Sequence, residues 1–217
     1  MQYPEGDGVM RLIVITTETF WEGEVDVIHT LFKYGLERLH VRKPFSSRDD
    51  MKHFLEQIDG SYYSRIVLHD HYELAAMFDV KGIHINDRNM GLFCDNYSML
   101  AAKKVSFSVS LHSIEDLQFE KRHDYVCLSP VFDSISKPGY KKGFTAKKLM
   151  KAKEKGLINR RIIALGGITA RRIPIARNYG FGGVAVLGAL WGASGDDRNE
   201  KAILKRFNKL QIKCMEG

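Results

Sequence analysis

The chain has 217 residues, 44% apolar and 27% charged, enough for one sizeable core and too evenly mixed for wholesale disorder. Lysine and arginine number 33 against 26 acidic residues, and the net charge of +7 suits an anionic partner such as a phosphate. The basic residues do not gather with aromatics in a nucleic-acid-binding motif, and no apolar run reaches the length of a membrane span, so neither nucleic acid nor membrane is expected as a partner.

The opening residues Met1-Gln-Tyr-Pro-Glu-Gly-Asp-Gly8 lack the basic-then-apolar pattern of a signal peptide. Residues 1–9 read as a disordered lead-in, and 10–217 as one domain without a linker. Cys94, Cys127 and Cys214 are odd in number and far apart, which argues against disulfides or a zinc site and fits a reducing cytoplasm.

Short apolar runs predict strands at Leu12–Ile15, Arg38–Val41, Arg65–Leu68, Gly82–Ile85, Ser106–Ser110, Tyr125–Leu128, Ile162–Leu165 and Gly183–Val186. Helical spacing links Val25, Ile28, Leu31 and Phe32, then Met51, Phe54, Leu55 and Ile58, and near the end Ile203, Phe207 and Leu210. Helix starts are expected at Ser47 and Ser113, each with acidic residues in the following turn, and Thr145 and Thr169 are expected as caps. Phe132–Phe144, with Pro138, Gly139 and Gly143, reads as a long mobile loop over a site. Strands alternating with helices at this spacing predict an α/β fold, a (β/α)8 TIM barrel, over its rival, an open doubly wound sheet.

The seventh and eighth strands end in glycine turns, Leu165-Gly-Gly-Ile168 and Val186-Leu-Gly188. In a barrel, the loops after strands 7 and 8 commonly hold a phosphate. Other strands deliver polar residues to the same rim: His40 and Arg42, His69 and Asp70, Asp87 and Asn89, Ser110 and His112, then Ser134, Ser136 and Lys137. Two hydroxyls and an ammonium within four residues suit a diphosphate. Singly, each has an ordinary explanation: Asp70 as a helix cap, Ser134 and Ser136 as turn residues, Lys137 as a solvated loop lysine. His84, inside an apolar strand, fits either a hydrogen-bonded core histidine or a site residue. An enzyme acting on a small phosphorylated molecule is the expectation.

Seven segments in order carry a resemblance: residues 40–44 (His-Val-Arg-Lys-Pro), 68–70 (Leu-His-Asp), 82–85, 108–113 (Ser-Val-Ser-Leu-His-Ser), 124–137, 164–168 and 183–186. On these the chain resembles the thiamin phosphate synthase/TenI family from about Arg11 to its end. The resemblance implies one of two activities. Synthases join a pyrimidine methyl diphosphate to a thiazole phosphate with Mg²⁺ and release diphosphate; some TenI-type members are thiazole tautomerases and need no cofactor. It implies roles for Arg42, for Ser110 near the pyrimidine, for Ser134, Ser136 and Lys137 on diphosphate, and for Gly167, Leu187 and Gly188 on thiazole phosphate. It implies Asp70 as a metal ligand, with Asp87 as a further candidate.

The chain departs from the synthase pattern at His40 and Pro44, where a glutamine and a lysine stand in the family motif, with Lys43 adjacent to the second. His69 stands in place of an asparagine, and Asn89 in place of a second acidic metal ligand. The loss of a carboxylate weakens a Mg²⁺ site. His112 matches the TenI proton-transfer base, a task suited to a pKa near neutrality. The sequence therefore leans toward a tautomerase acting through His112, with the synthase as the alternative and a non-catalytic binder of thiamin-pathway phosphates as a third reading. A homo-oligomer is compatible with any of these.

Overall fold

The computed structural model describes residues 8–133, 143–192 and 197–216. Eight parallel strands close into a barrel in sequence order: β1 (Arg11–Ile15), β2 (Arg38–Val41), β3 (Ile66–Leu68), β4 (Gly82–Ile85), β5 (Ser106–Leu111), β6 (Tyr125–Leu128), β7 (Ile162–Leu165) and β8 (Gly183–Val186). The ladder closes where Leu12 pairs with Val184. Closure excludes the open sheet and fits the apolar runs, since strands buried on both faces need no polar alternation. Five of the eight predicted strand ranges coincide with the observed ones, and the other three differ by one residue at an end.

Around the barrel lie α1 (Glu24–Lys33), α2 (Arg48–Glu56), α3 (Met90–Ala102), α4 (Ala146–Glu154), α5 (Ile173–Asn178), α6 (Gly188–Trp191) and α7 (Glu200–Met215). Ser47 starts α2 through a capping box: its hydroxyl accepts from Asp50 N while the Asp50 carboxylate accepts from Ser47 N. Thr145 Oγ1 likewise accepts from Lys148 N at the start of α4. Two expected helix starts differ. Ser113 leads into a single 3₁₀ turn, Glu115–Gln118, because its hydroxyl already accepts from Glu115 N and closes a tight turn. Thr169 receives Arg172 N and Ile173 N on its carbonyl, so its backbone starts α5. After β3 the connection is also a 3₁₀ turn, Tyr72–Ala76.

Two apolar cores result. The larger fills the space between strands and helices and includes Val14, Leu31, Leu39, Met51, Ile83, Val126, Trp191 and Phe207. The smaller lies inside the barrel and consists of Ile13, Ile15, Tyr125, Cys127, Ile163 and Ala185. These residues come from β1, β6, β7 and β8, so one half of the interior wall is apolar. The other half, from β2 to β5, carries buried His40, His84 and Ser108. Trp191 ties α6 to the barrel by donating from Nε1 to Ile15 O at 2.7 Å. Among the described residues no helix is long and apolar enough to cross a membrane.

Candidate active site

A cavity of about 250 Å³ opens at the C-terminal ends of the strands. Its polar wall includes His40, Arg42, His69, His84 and Ser110, and facing these stand the backbones of Gly166, Gly167, Leu187 and Gly188. This is where barrel folds place their chemistry. A cavity of about 300 Å³ at the opposite end includes Met10, Phe207 and Cys214. Two of its arginines are tied to backbone, Arg11 to Arg160 O and Arg161 to His123 O, and that end of a barrel serves stability.

The glycine turn after β7 is built for close approach. Gly167 sits at φ +65°, and a β-carbon there would lie 2.2 Å from Asp133 O. Only glycine takes this conformation without strain and leaves the backbone bare. Gly188 begins α6 directly after β8.

The histidines form one buried group. His40 Nδ1 lies 2.8 Å from His69 Nε2, and His40 Nε2 lies 2.5 Å from the Tyr125 hydroxyl. His69 stacks on His84, with ring centroids 4.4 Å apart. The Ser108 hydroxyl donates to Ile83 O at 3.2 Å, so its oxygen accepts from His84 Nδ1 at 2.9 Å. His84 Nε2 is then the unprotonated nitrogen and accepts from the Ser110 hydroxyl at 2.8 Å. Burial disfavours charge on all three rings. It holds His40 and His69 well below the usual histidine range, helped by neighbouring positive groups, and pushes His84 down to about 3. The histidine part of the cavity wall is therefore neutral and hydrogen-bonded at physiological pH.

Arg42 reaches the cavity and pairs with Glu18 at 2.5 Å. Lys43 does not stand in for the missing lysine. Its ammonium points away from the cavity into a buried pair with Glu24, 2.7 and 2.8 Å from the two carboxylate oxygens, and donates to Thr19 O. Asp70 is buried with both oxygens engaged: one accepts from Arg88 at 2.6 Å, the other from Lys43 N at 3.1 Å. Asn89 spends its amide on His69 O and His84 O and its oxygen on Asn86 N. Asp87 is exposed and does not line the cavity. As these side chains stand, they offer one engaged carboxylate and do not fit Mg²⁺, which takes free, near-octahedral oxygen ligands.

His112 is exposed on the rim, outside the lining of the cavity. Its Nδ1 donates to Ser129 O at 2.8 Å, so in the neutral tautomer the lone pair is on Nε2. Ser134, Ser136, Lys137 and most of the expected loop lie outside the described residues. Sequence reasoning missed Glu18, Arg88, Ser108 and Tyr125. For Tyr125 and Ser108 a signal existed: alternate positions of a barrel strand face inward, which groups Ser108 with Ser110 and Tyr125 with Cys127. Glu18 and Arg88 sit in loops, where no period applies.

Fold and cavity together define a (β/α)8 barrel with a glycine-lined site at the ends of β7 and β8. The chain matches the family described as Thiamine monophosphate synthase over residues 12–190, and it belongs to that family. It is 30% identical over 161 residues to the thiamine-phosphate synthase of Lysinibacillus sphaericus (strain C3-41), covering 72% of each chain. It is 25% identical over 183 residues to the putative thiamine-phosphate synthase 2 of Aquifex aeolicus, covering 81% of this chain and 94% of that one. A crystal structure of thiamine phosphate pyrophosphorylase from Bacteroides thetaiotaomicron superposes with a TM-score of 0.80 at 35% identity, over 94% of this chain and 97% of that one.

Proposed function

We propose that the protein is a thiamine phosphate synthase, joining a pyrimidine methyl diphosphate to a thiazole phosphate. The observation that carries this reading is the glycine-walled cavity of a barrel whose relatives are named for that reaction. It takes first place over the tautomerase toward which the sequence leaned. In the reaction the bond between the methylene carbon and the diphosphate oxygen breaks. The thiazole nitrogen donates its electron pair to that carbon, and diphosphate leaves.

The backbones of Gly166, Gly167, Leu187 and Gly188 anchor the thiazole phosphate in this reading. Arg42 stabilises the charge that develops on the leaving group, and Ser134, Ser136 and Lys137 are assigned to it by family resemblance. The neutral histidine wall excludes water from the reactive methylene. Asp70, the residue assigned to Mg²⁺ by resemblance, is held by Arg88 and would have to leave it to bind a metal ion.

One observation favours the second reading. The Nδ1–H of His112 is held by Ser129 O, so in the neutral tautomer Nε2 is the acceptor nitrogen, the arrangement a general base needs. The test is an assay of the purified protein with both synthase substrates and Mg²⁺, following thiamin phosphate. Product well above the no-enzyme control is expected. A folded protein that forms none, yet isomerises the carboxylated thiazole phosphate, overturns the synthase in favour of the tautomerase.

A further inference from the structure

We propose that His40, His69 and His84 form a binding site for a borderline divalent transition metal of the zinc class, with its remaining position open to the cavity. One ligand nitrogen from each ring lies within 4.8 Å of the others, and all three residues are buried. Metal–imidazole bonds are about 2.0–2.1 Å long, so tetrahedral ligand nitrogens stand about 3.4 Å apart. Side-chain rotations that shift each nitrogen by roughly 1 Å bring the three to that spacing. An all-imidazole set favours zinc and its neighbours over Mg²⁺, which takes oxygen.

Three features of the group suit this use. The rings are kept neutral by burial, and a metal needs the unprotonated nitrogen. His84 carries its lone pair at Nε2, since Nδ1 donates to Ser108, and a metal would take that lone pair in place of the Ser110 hydroxyl, which is free to turn away. His40 has a hydroxyl, that of Tyr125, placed to accept the Nε2 proton once Nδ1 turns to a metal. Oxygen partners on the far nitrogen are what orient histidine ligands in metal sites.

The stacking of His69 on His84 decides which ring must move. A metal lies in the plane of each imidazole that binds it, and two rings 25° from parallel at 4.4 Å do not share such a point nearby. His69 is the ring free to turn: it makes a single side-chain hydrogen bond, to His40, and its Nδ1 is buried with no partner among the described residues. An orphaned buried nitrogen is unfavourable, and a ring that turns to coordinate a metal would leave the position that orphans it. His40, His69 and His84 all line the cavity, so a fourth ligand would be water or a donor atom of a bound molecule.

The experiment is titration of the purified full-length protein, stripped with chelator, with Zn²⁺ by calorimetry and with Co²⁺ by visible absorption. Binding of one ion per chain at micromolar concentration is expected, with the intense d–d bands of tetrahedral cobalt. His69→Gln and His84→Gln, shown folded by circular dichroism, should abolish it. Tyr125→Phe should weaken it by about 10–100-fold. His53→Ala, which removes an exposed histidine on α2, should leave it intact. Wild-type protein that binds neither ion in this range overturns the proposal, as does binding that survives in the folded His69 and His84 variants. Because the readout is binding, failure of the synthase assay leaves it unaffected.

Discussion

His40 and His69 meet nitrogen to nitrogen inside the barrel, Nδ1 of the first 2.8 Å from Nε2 of the second. Such a contact needs one N–H and one lone pair, so at least one ring is neutral. Burial is the main force holding both, and His84 beside them, in the neutral form. In the unfolded chain the same rings titrate near the ordinary histidine value of about 6.5. Below that pH the unfolded state binds more protons than the native state, so stability falls as pH drops. Each ring contributes a slope of up to about 1.4 kcal/mol per pH unit, down to its depressed native pKa, which for His84 is about 3. Urea unfolding at pH 7.5, 6 and 5 should show a steep loss in wild type and a shallower one in His84→Gln. Equal slopes would mean that His84 takes up its proton in the folded protein.

Lys43 and Glu24 form the most enclosed ion pair among the described residues, with side chains 0% and 1% exposed. Burial lowers the lysine pKa and raises that of the glutamate, and their mutual attraction opposes both shifts. Breaking such a pair by removing one partner costs about 3–5 kcal/mol, because the other charge stays buried. Glu24→Ala should lower the unfolding free energy by that amount, and Lys43→Met, which leaves Glu24 free to protonate, by less. The pair lies behind the cavity wall, so kcat/KM of the Lys43→Met protein should stay within about threefold of wild type. A hundredfold loss in a folded variant would return Lys43 to the site.

The barrel was legible because its evidence is periodic. Buried parallel strands are apolar runs, and Ile162–Leu165 and Gly183–Val186 could be read to the residue. The rim was legible in part, since His40, Arg42, His69 and Ser110 follow from strand ends and the glycine turns from backbone freedom. What sequence did not convey is pairing. Asp70 looks like a free carboxylate until Arg88 is found 2.6 Å away, and Asn89 like a ligand until its amide is found on two carbonyls. Lys43 looked like a neighbour of the site, yet on a strand end one residue's shift turns a side chain to the opposite face.

His112 separates the two proposed activities. It is exposed and outside the cavity lining, and the proposed diphosphate displacement assigns it no part. His112→Ala should therefore leave thiamin phosphate formation within about threefold of wild type, whereas loss of a general base costs about 10²–10⁴-fold in a proton transfer. Steady-state rates of the variant on both substrate sets decide it. A synthase rate that falls a hundredfold would mean that His112 swings into the cavity during turnover.

Gly167 offers the sharpest test of the phosphate anchor. At φ +65° any other residue is strained, and a β-carbon would sit 2.2 Å from Asp133 O, a backbone atom with little room to yield. Gly156 supplies the control: it has φ +70° but nothing within 4 Å of an added β-carbon, and it follows α4 away from the cavity. Gly156→Ala should cost about 1 kcal/mol of stability and leave kinetics unchanged. Gly167→Ala carries the same strain and must also displace the Asp133 backbone, so its loss of stability should be larger. If the turn holds the thiazole phosphate, KM for that substrate should rise about tenfold or more, while KM for the pyrimidine diphosphate moves less. Equal effects on the two substrates would assign the turn to general shape, and no kinetic effect in a folded variant would remove it from the phosphate site.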